Sequence, residues 1–385
     1  MKNHLRLILA ILALALAGCA QELPKAGMPT PIEGGGKPIP PKETPTTSAK
    51  QAAPTPVAAA VELTLVTHDS FDASEEVIRQ FEEEAGVKLN ILKSGDAGEM
   101  VNMLLLSKDA PLGDVVYGVD NTFLSRALEG GLFQPYDAPA LADIPDRLKL
   151  DPENRLLPVD FGYVTLNYDI QWFKDHDLAP PTDIADLIEP AYKGLTVVEN
   201  PASSSPGLAF LFTTVWRYGY IGEYTYLDYW RDLKANDVLV TDGWSDAYFG
   251  QFTAGSGGEG DRPIVVSYAT SPAAEVFFNN LTEPPTASVN TPGNSFEQVE
   301  FVGILANSPK QEAARKLVDF LLSPAFQEDI PQHMWVYPAN GKAQVGELFE
   351  RWAQIPADPV QLSPDEIAAH REAWIEGWTD VMLRQ

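Results

Sequence analysis

Cysteine is almost missing from this sequence: Cys19 is the only one among 385 residues. Residues 20–385 therefore contain no thiol for an intramolecular disulfide, a cysteine-ligated metal or a cysteine nucleophile. These absences exclude disulfide scaffolds and cysteine-dependent catalysis from that part of the chain, and its fold has to be held by a hydrophobic core.

Long apolar runs are missing too. The run at residues 7–17 is too short to span a bilayer of about 30 Å as a helix. It follows Lys2 and Arg6 and ends in Ala17-Gly18-Cys19, small residues of the kind found at secretory cleavage sites. This ending resembles a bacterial lipobox. We therefore expect residues 1–19 to be a lipoprotein signal peptide with Cys19 as the lipidated residue; a plain signal peptide is the alternative.

Positive charge is scarce, with 27 Lys and Arg against 54 Asp and Glu and a net charge of −27. Because no basic run could neutralise phosphates, the composition argues against nucleic acid as a partner. An acidic surface favours a cationic ligand. Solubility, or adaptation to an acidic or salty exterior, explains the charge equally well.

Catalytic motifs are absent as well: there is no HExxH, Walker loop, GxSxG or dinucleotide GxGxxG. The histidines are scattered without metal-ligand spacing. Asp69, Asp120 and Asp160 could supply a carboxylate pair for glycoside hydrolysis, but any acidic cleft would permit that interpretation. We predict a protein that is not an enzyme and that holds no cofactor and no metal.

The chain changes character at residue 61. Residues 20–60 contain nine prolines and no aromatic residue, which predicts a disordered tether. Beyond them, short apolar strands alternate with helical patterns of 10–15 residues, which predicts an α/β fold with a largely parallel sheet. In residues 307–323 we expect a packing helix with Ser308 as N-cap and Pro309 at its first position.

About 325 residues follow the tether, more than one core usually serves, so two lobes are expected with a ligand cleft between them. We assign residues 61–158 and 268–305 to the first lobe. Residues 159–267 and 306–385, with the C-terminal helices, are assigned to the second.

Ligands of open α/β sheets bind beyond the carboxyl ends of the strands. Carboxylates, aromatic rings and hydroxyls recur there, although each alone has a structural explanation. Together they suit a delocalised cation, which a ring face attracts by roughly 0.5–2 kcal/mol, and the hydroxyls suit a hydroxyl or phosphate arm. The candidate ligand-binding residues are Asp69, Asp120, Asp160, Tyr163, Ser203, Ser204, Ser205, Trp244, Ser245, Tyr248, Tyr268, Thr270, Ser271, Trp335 and Tyr337.

The stretch TDGWSDAY, residues 241–248, places two rings four residues apart after a predicted strand. We expect Ser245 to cap the helix that follows. Trp244 then lies at the start of that helix and faces the ligand, while Tyr248, one turn further on, braces it.

Signal, tether and two lobes together resemble the solute-binding lipoproteins of ABC importers. The motifs HDSF, GVDN, DFGY, NPASSSPGL, GWSDAY, SYATSPA and WVYP look like those of the thiamine-binding members, in the same order over nearly all of residues 61–385. The resemblance implies a type 2 periplasmic-binding fold with thiamine or its phosphates in the cleft. It also implies an importer permease and its ATPase as partners, and a monomer anchored on the extracytoplasmic side of the membrane.

Carried over by motif, Trp244, Tyr268 and either Trp335 or Tyr337 would supply stacking faces. Asp69, Asp120 and Asp160 would be the acids that contact the rings or their amino group. The serines at 203–205 would contact the hydroxyethyl or phosphate arm.

Two positions depart from the family pattern: this chain has His68 where some members have Tyr, and Ala202 where some have Arg. Losing that cation favours free thiamine over its phosphates. Related proteins that bind ferric iron or a polyamine remain an alternative. So does a thiamine-degrading enzyme, although thiaminase I-type enzymes use a cysteine that residues 61–385 lack.

Overall fold

The structure is a computed structural model that describes residues 61–257 and 260–384. The predicted signal peptide, the lipidation site Cys19 and the tether lie outside the described residues.

Strands and helices alternate along the described chain. The strands are β1 (Val61–Thr67), β2 (Val87–Lys93), β3 (Val115–Asp120), β4 (Phe133–Gln134), β5 (Leu157–Asp169), β6 (Thr196–Glu199), β7 (Leu239–Thr241), β8 (Ile264–Tyr268), β9 (Thr286–Ser288), β10 (Phe296–Leu305) and β11 (Tyr337–Pro338). The α-helices are α1 (Glu75–Ala85), α2 (Ala97–Leu106), α3 (Leu124–Glu129), α4 (Ile170–Asp175), α5 (Ser205–Tyr218), α6 (Tyr226–Ala235), α7 (Ser271–Phe278), α8 (Gln311–Leu321), α9 (Pro324–Gln327), α10 (Ile330–His333), α11 (Glu347–Trp352) and α12 (Pro364–Met382).

The described strands form one sheet in the order β2-β1-β3-β10-β5-β8-β6-β7. β1 pairs in parallel with β2 and β3, and β6 pairs in parallel with β7 and β8. Between these groups β10 runs antiparallel to β3 and β5, and β5 runs antiparallel to β8. The predicted α/β class is confirmed. The prediction of a largely parallel sheet is wrong for its centre, because the two long strands β5 and β10 pair antiparallel there.

Each parallel group carries its own helices, which gives the two-lobed arrangement. α1 and α8 pack together beside β2 and β10, whereas α5 packs on β6 and α6. The residues predicted to bound the lobes remain a prediction.

Local signals explain where individual helices begin and end. α1 starts after Ser74, whose hydroxyl accepts a hydrogen bond from the Val77 amide, and ends at Gly86 with φ of 68°. The predicted start of α8 is wrong. The helix begins at Gln311, and Ser308 lies before it: its hydroxyl donates to Asp114 Oδ1 at 2.7 Å and accepts from the Lys310 amide at 3.0 Å.

α12 packs against both α3 and α6. Its Arg371 guanidinium lies 4.5 Å from the centre of the Phe123 ring and donates to the Thr122 carbonyl at 3.2 Å. Its Trp374 and Trp378 are buried in the core. Within residues 61–257 and 260–384, no helix is long and apolar enough to cross a membrane.

Candidate functional site

A cavity of about 300 Å³ lies where the loops after β1, β2, β7 and β8 meet the starts of α5 and α7. This is the position predicted from the strand ends. Nine of the fifteen candidate residues line it: Asp69, Ser205, Trp244, Ser245, Tyr248, Tyr268, Thr270, Ser271 and Trp335.

Six candidates do not line the cavity: Asp120, Asp160, Tyr163, Ser203, Ser204 and Tyr337. Ser204 is the N-cap residue of α5, and the Ser203 carbonyl accepts a hydrogen bond from the Gly98 amide at 2.9 Å. Tyr163 lies 3.4 Å from Glu297 through its hydroxyl, and Tyr337 stacks on Phe161. Their surroundings in this structure are therefore other parts of the protein.

The aromatic wall of the cavity is built around Trp244. Its ring stacks on Tyr248 with centroids 5.1 Å apart, and Tyr268 approaches it edge-on at 6.2 Å. Its indole Nε1 donates to Ser267 Oγ at 2.9 Å. Tyr248 is buried and donates its hydroxyl to Glu275 at 2.8 Å. The position of Trp244 is thus set by contacts on several sides.

The predicted capping role of Ser245 is wrong. Ser245 has helical dihedral angles, and its side chain makes no cap hydrogen bond. Instead the amide of Trp244 donates to Asp96 Oδ2 at 3.1 Å, while Asp96 Oδ1 accepts from the Ala97 amide at 2.7 Å. One carboxylate from the loop after β2 therefore caps a helical turn after β7.

Asp96 was missed from the sequence, although the strand-end rule applied to the loop after β2 would have found it. Burial raises the pKa of Asp96, and the amides of Trp244 and Ala97 oppose that shift by stabilising the carboxylate.

Three carboxyl groups lie side by side on adjacent strands. In the strand register Glu300 on β10 is opposite Asp120 on β3 and opposite Asp160 on β5. Burial raises the pKa of Asp120 to about 6, against hydrogen bonds from Ser205 and Thr122. Burial, with Glu300 beside it, raises the pKa of Asp160 well above its usual range. We call these three residues the carboxyl row.

Glu300 lines the cavity and was also missed from the sequence. It sits within a strand whose ten residues are all buried, and its exposure to the cavity follows from tertiary packing alone. Its partner there is His68, whose Nε2 lies 3.5 Å from Glu300 Oε2.

Trp335 forms a further part of the cavity wall and packs against Phe277 and Phe278, with ring centroids 5.3 and 5.4 Å away. Its φ of 56° is uncommon for a bulky residue and indicates backbone strain. The Thr270 hydroxyl holds the Trp335 carbonyl at 2.5 Å. The indole Nε1 is buried and has no hydrogen-bond partner among the described residues.

The charges around the cavity have one dominant sign. Five carboxyl groups line it together with two histidines, and none of its described lining residues is a lysine or arginine: the acidic and histidine lining residues are Asp69, Asp72, Asp96, Glu275, Glu300, His68 and His333. No three His, Cys, Asp or Glu side chains of the described residues come together in a way that could hold a metal ion. Flat rings and carboxylates in one cavity suit an aromatic organic cation.

Residues 110–357 match the family model described as bacterial extracellular solute-binding protein. The chain is 32% identical over 335 residues to the thiamine-binding periplasmic protein of Escherichia coli (strain K12), covering 86% of this chain and 96% of that protein. It is 23% identical over 325 residues to iron uptake protein A1 of Synechocystis sp., covering 78% of this chain and 82% of that protein.

Among solved structures, a periplasmic thiamin binding protein superposes with a TM-score of 0.74 at 31% identity, covering 84% of this chain and 96% of that one. An apo ferric ion-binding protein A from Pasteurella haemolytica shares the fold with a TM-score of 0.64 at 18% identity, over 84% of this chain and 98% of that one. The matched family model, the similarity over nearly the full length of the relatives and the two-lobed α/β fold lead to one conclusion: the chain belongs to the family of bacterial extracellular solute-binding proteins.

Proposed function

We propose that this protein captures thiamine outside the cytoplasm and delivers it to an ABC importer. The observation that carries the proposal is the cavity, which is lined by the stacked Trp244–Tyr248 pair together with five carboxyl groups. Thiamine has two flat heteroaromatic rings and one permanent positive charge, and this cavity offers ring faces and negative charge together. The relatives named as thiamine-binding proteins support the same ligand.

In this proposal the faces of Trp244, Tyr268 and Trp335 contact the two rings of thiamine. Asp69 and Ser205 meet polar groups of the ligand, and Glu300 joins them as an acid. Asp120 and Asp160 were predicted to contact the ligand directly. In this proposal they influence it only indirectly, through Ser205 and Glu300. Four further candidates do not line the cavity and have a supporting role in this proposal: Tyr163, Ser203, Ser204 and Tyr337.

The cellular setting is proposed from the sequence. A lipid anchor on Cys19 and a tether at residues 20–60 would hold a monomer at the outer face of the membrane or in the periplasm. A permease and its ATPase would receive the ligand after the lobes, hinged on β5 and β10, open. Binding and release, without cleavage, fit a chain that has no cysteine in residues 61–385.

Calorimetric titration of the purified protein with thiamine tests the proposal. We expect one site of micromolar or tighter affinity, and no heat at micromolar protein would overturn it. The iron-uptake relative makes ferric citrate a necessary comparison, since a colour change on its addition would favour the iron alternative. Spermidine tests the polyamine alternative in the same instrument. Mass spectrometry after overnight incubation with thiamine would reveal cleavage products if the protein were an enzyme.

A further inference from the structure

His68 and Glu300 form a pair on the wall of the cavity. His68 follows β1, Glu300 lies in β10, and each is 7% exposed. Apart from their mutual contact at 3.5 Å, His68 Nε2 and Glu300 Oε2 have no hydrogen-bond partner among the described residues. Buried polar atoms in native proteins nearly always have partners. Two such atoms beside a cavity indicate that something entering the cavity completes their contacts.

The position of the His68 ring is fixed by its neighbours. Gly118 has φ of 98°, and a Cβ there would lie 2.2 Å from His68 Cδ2. The imidazole therefore packs directly on a bare glycine backbone. The ring of Tyr117 approaches it edge-on at 6.4 Å. These contacts hold Nε2 beside Glu300.

Carboxyl groups face this pair from each element around it. Asp69 acts on His68 from the same loop, and Asp96 acts on it from the loop after β2. Glu300 is flanked by Asp120 on β3 and by Asp160 on β5.

The other titratable neighbours are phenols and one guanidinium. Two tyrosines contribute neutral hydroxyls: Tyr117 is hydrogen-bonded to Asp160, and Tyr268 is hydrogen-bonded to Gln298 at 3.2 Å. Arg371 reaches Asp120 electrostatically from α12 and is bonded to the Thr122 carbonyl. The immediate environment of His68 is therefore acidic.

We propose that His68 and Glu300 exchange a proton for the ligand: a protonated His68 neutralises Glu300 from within, and an organic cation binds as that proton leaves. The inference rests on the proposed function and concerns the same cavity. It assigns His68 and Glu300 as the residues that recognise the positive charge of the ligand.

The exchange balances in charge and atoms. The Nε2–H bond of the imidazolium breaks, and its proton passes to solvent. The electron pair stays on Nε2, which becomes a hydrogen-bond acceptor. One positive charge leaves and one arrives beside the Glu300 carboxylate, so below the pKa of His68 this carboxylate has a cation for a partner both before and after the ligand binds.

The electrostatics of His68 support this exchange. Burial lowers the pKa of His68, whereas Glu300 and, to a smaller extent, Asp96 and Asp69 raise it. The raising effects together are larger, so the pKa lies above its usual value. Below this pKa the internal ion pair competes with the ligand. Thiamine affinity should therefore fall as the pH decreases through it and level off above it. Coupling to one proton gives at most about a tenfold change in affinity per pH unit.

Calorimetry in pairs of buffers with different ionisation enthalpies counts the protons released when thiamine binds. Between about pH 6 and about pH 9, we expect the wild-type protein to release up to one proton per thiamine at the acidic end and none at the alkaline end. His68→Gln should remove both the release and the pH dependence of the affinity. His176→Gln, which changes an exposed histidine after α4, should keep both.

The outcomes separate the two proposals. If wild-type protein fails to bind thiamine at every pH, the proposed function is overturned and the exchange pair with it. If it binds thiamine with no proton release and a flat pH profile, only the exchange pair is overturned. Equal proton release by the wild-type protein and by His68→Gln would also overturn the exchange pair alone. A misfolded variant does not remove the test, because a flat pH profile of the wild-type protein alone overturns the exchange pair.

Discussion

The indole of Trp244 and the phenol ring of Tyr248 lie 5.1 Å apart between centroids, with their planes inclined by only 21°. Tyr248 is 3% exposed and bonded to Glu275, whereas Trp244 is partly exposed to the cavity. Two neighbouring rings in one stack therefore have different surroundings, which predicts different consequences when each is altered.

Trp244→Ala should weaken thiamine binding by about 1–3 kcal/mol, because the ligand loses a stacking face. The fold should persist, as judged by circular dichroism and chemical unfolding. Trp216→Ala is the matched control, since Trp216 is 49% exposed and outside the cavity lining. Unchanged thiamine affinity in the Trp244 variant would make this ring a packing residue.

Tyr248→Phe should lower the free energy of unfolding by about 1–3 kcal/mol, the usual effect of removing a buried hydrogen bond to a charged group. The ring that supports Trp244 remains, so thiamine affinity should change much less than in Trp244→Ala. Urea unfolding and calorimetry measure the two effects. A loss of affinity as large as that of the tryptophan variant would contradict the bracing role.

Gly118→Ala should destabilise the protein and weaken thiamine binding together. Its φ of 98° disfavours any side chain, and the added methyl would collide with His68. Gly86→Ala is the control: its φ of 68° is also left-handed, but nothing lies within 4 Å of the new Cβ. That variant should lose only about 1–2 kcal/mol of stability and keep its affinity. Equal affinities would show that His68 does not depend on Gly118.

Asp120→Asn should flatten the dependence of stability on pH between about pH 4 and about pH 6. The pKa of Asp120 is raised from 3.8 to about 6 by burial, so in this range the folded state binds a proton that the unfolded state does not. Its contribution to stability is therefore present at low pH and falls as the pH rises through the window, by about 3 kcal/mol in all. Urea unfolding at several pH values compares the slopes. Identical slopes in both proteins would contradict the assignment.

Glu199→Gln should raise the free energy of unfolding by about 1–3 kcal/mol at neutral pH. Glu199 is fully buried, both carboxyl oxygens lack hydrogen-bond partners within the described residues, and burial raises its pKa well above the usual value. As the pH rises, the folded state keeps a proton that the unfolded state releases, so Glu199 lowers the stability, and an uncharged amide removes that cost.

Glu275→Gln provides the contrast to the previous variant. Glu275 is equally buried, but its carboxylate accepts hydrogen bonds from Tyr248, Ser256 and Asn279. The same substitution should therefore destabilise the protein in thermal and urea unfolding. If both variants shift stability in the same direction, hydrogen-bond satisfaction is not what separates the two sites.

Residues close to a strand end were within reach of sequence reasoning. The cavity lies where the loops after the strands converge, and the different positions of Trp244 and Tyr248 follow from their spacing of four residues. Asp96 obeys the same rule. Its bond to Trp244 was not predictable, because it joins loops separated by 148 residues.

Other features depend on strand register. Glu300 meets Asp120 and Asp160 only because β10 lies between β3 and β5 in one alignment. A slip of β10 by one residue would turn Glu300 to the opposite face of the sheet, away from Asp120 and Asp160. Apolar patterns reveal that such strands exist, but they do not state which residues stand opposite one another. For the same reason the antiparallel centre of the sheet was not predicted.

The hydrogen bonds from the Trp244 amide to Asp96 and from the Gly98 amide to Ser203 both join the segment after β2 to loops that follow β6 and β7. Asp96 and Trp244 line the cavity, so the first of these bonds joins two parts of its wall. Separating these loops breaks both bonds. Because the freed groups would then meet water, the net cost is about 0.5–1.5 kcal/mol for the amide–carbonyl bond and about 1.5–3 kcal/mol for the bond to the Asp96 carboxylate. Bonds of this strength can be offset by a few ligand contacts. Opening and closing the cavity therefore requires only a small change in free energy.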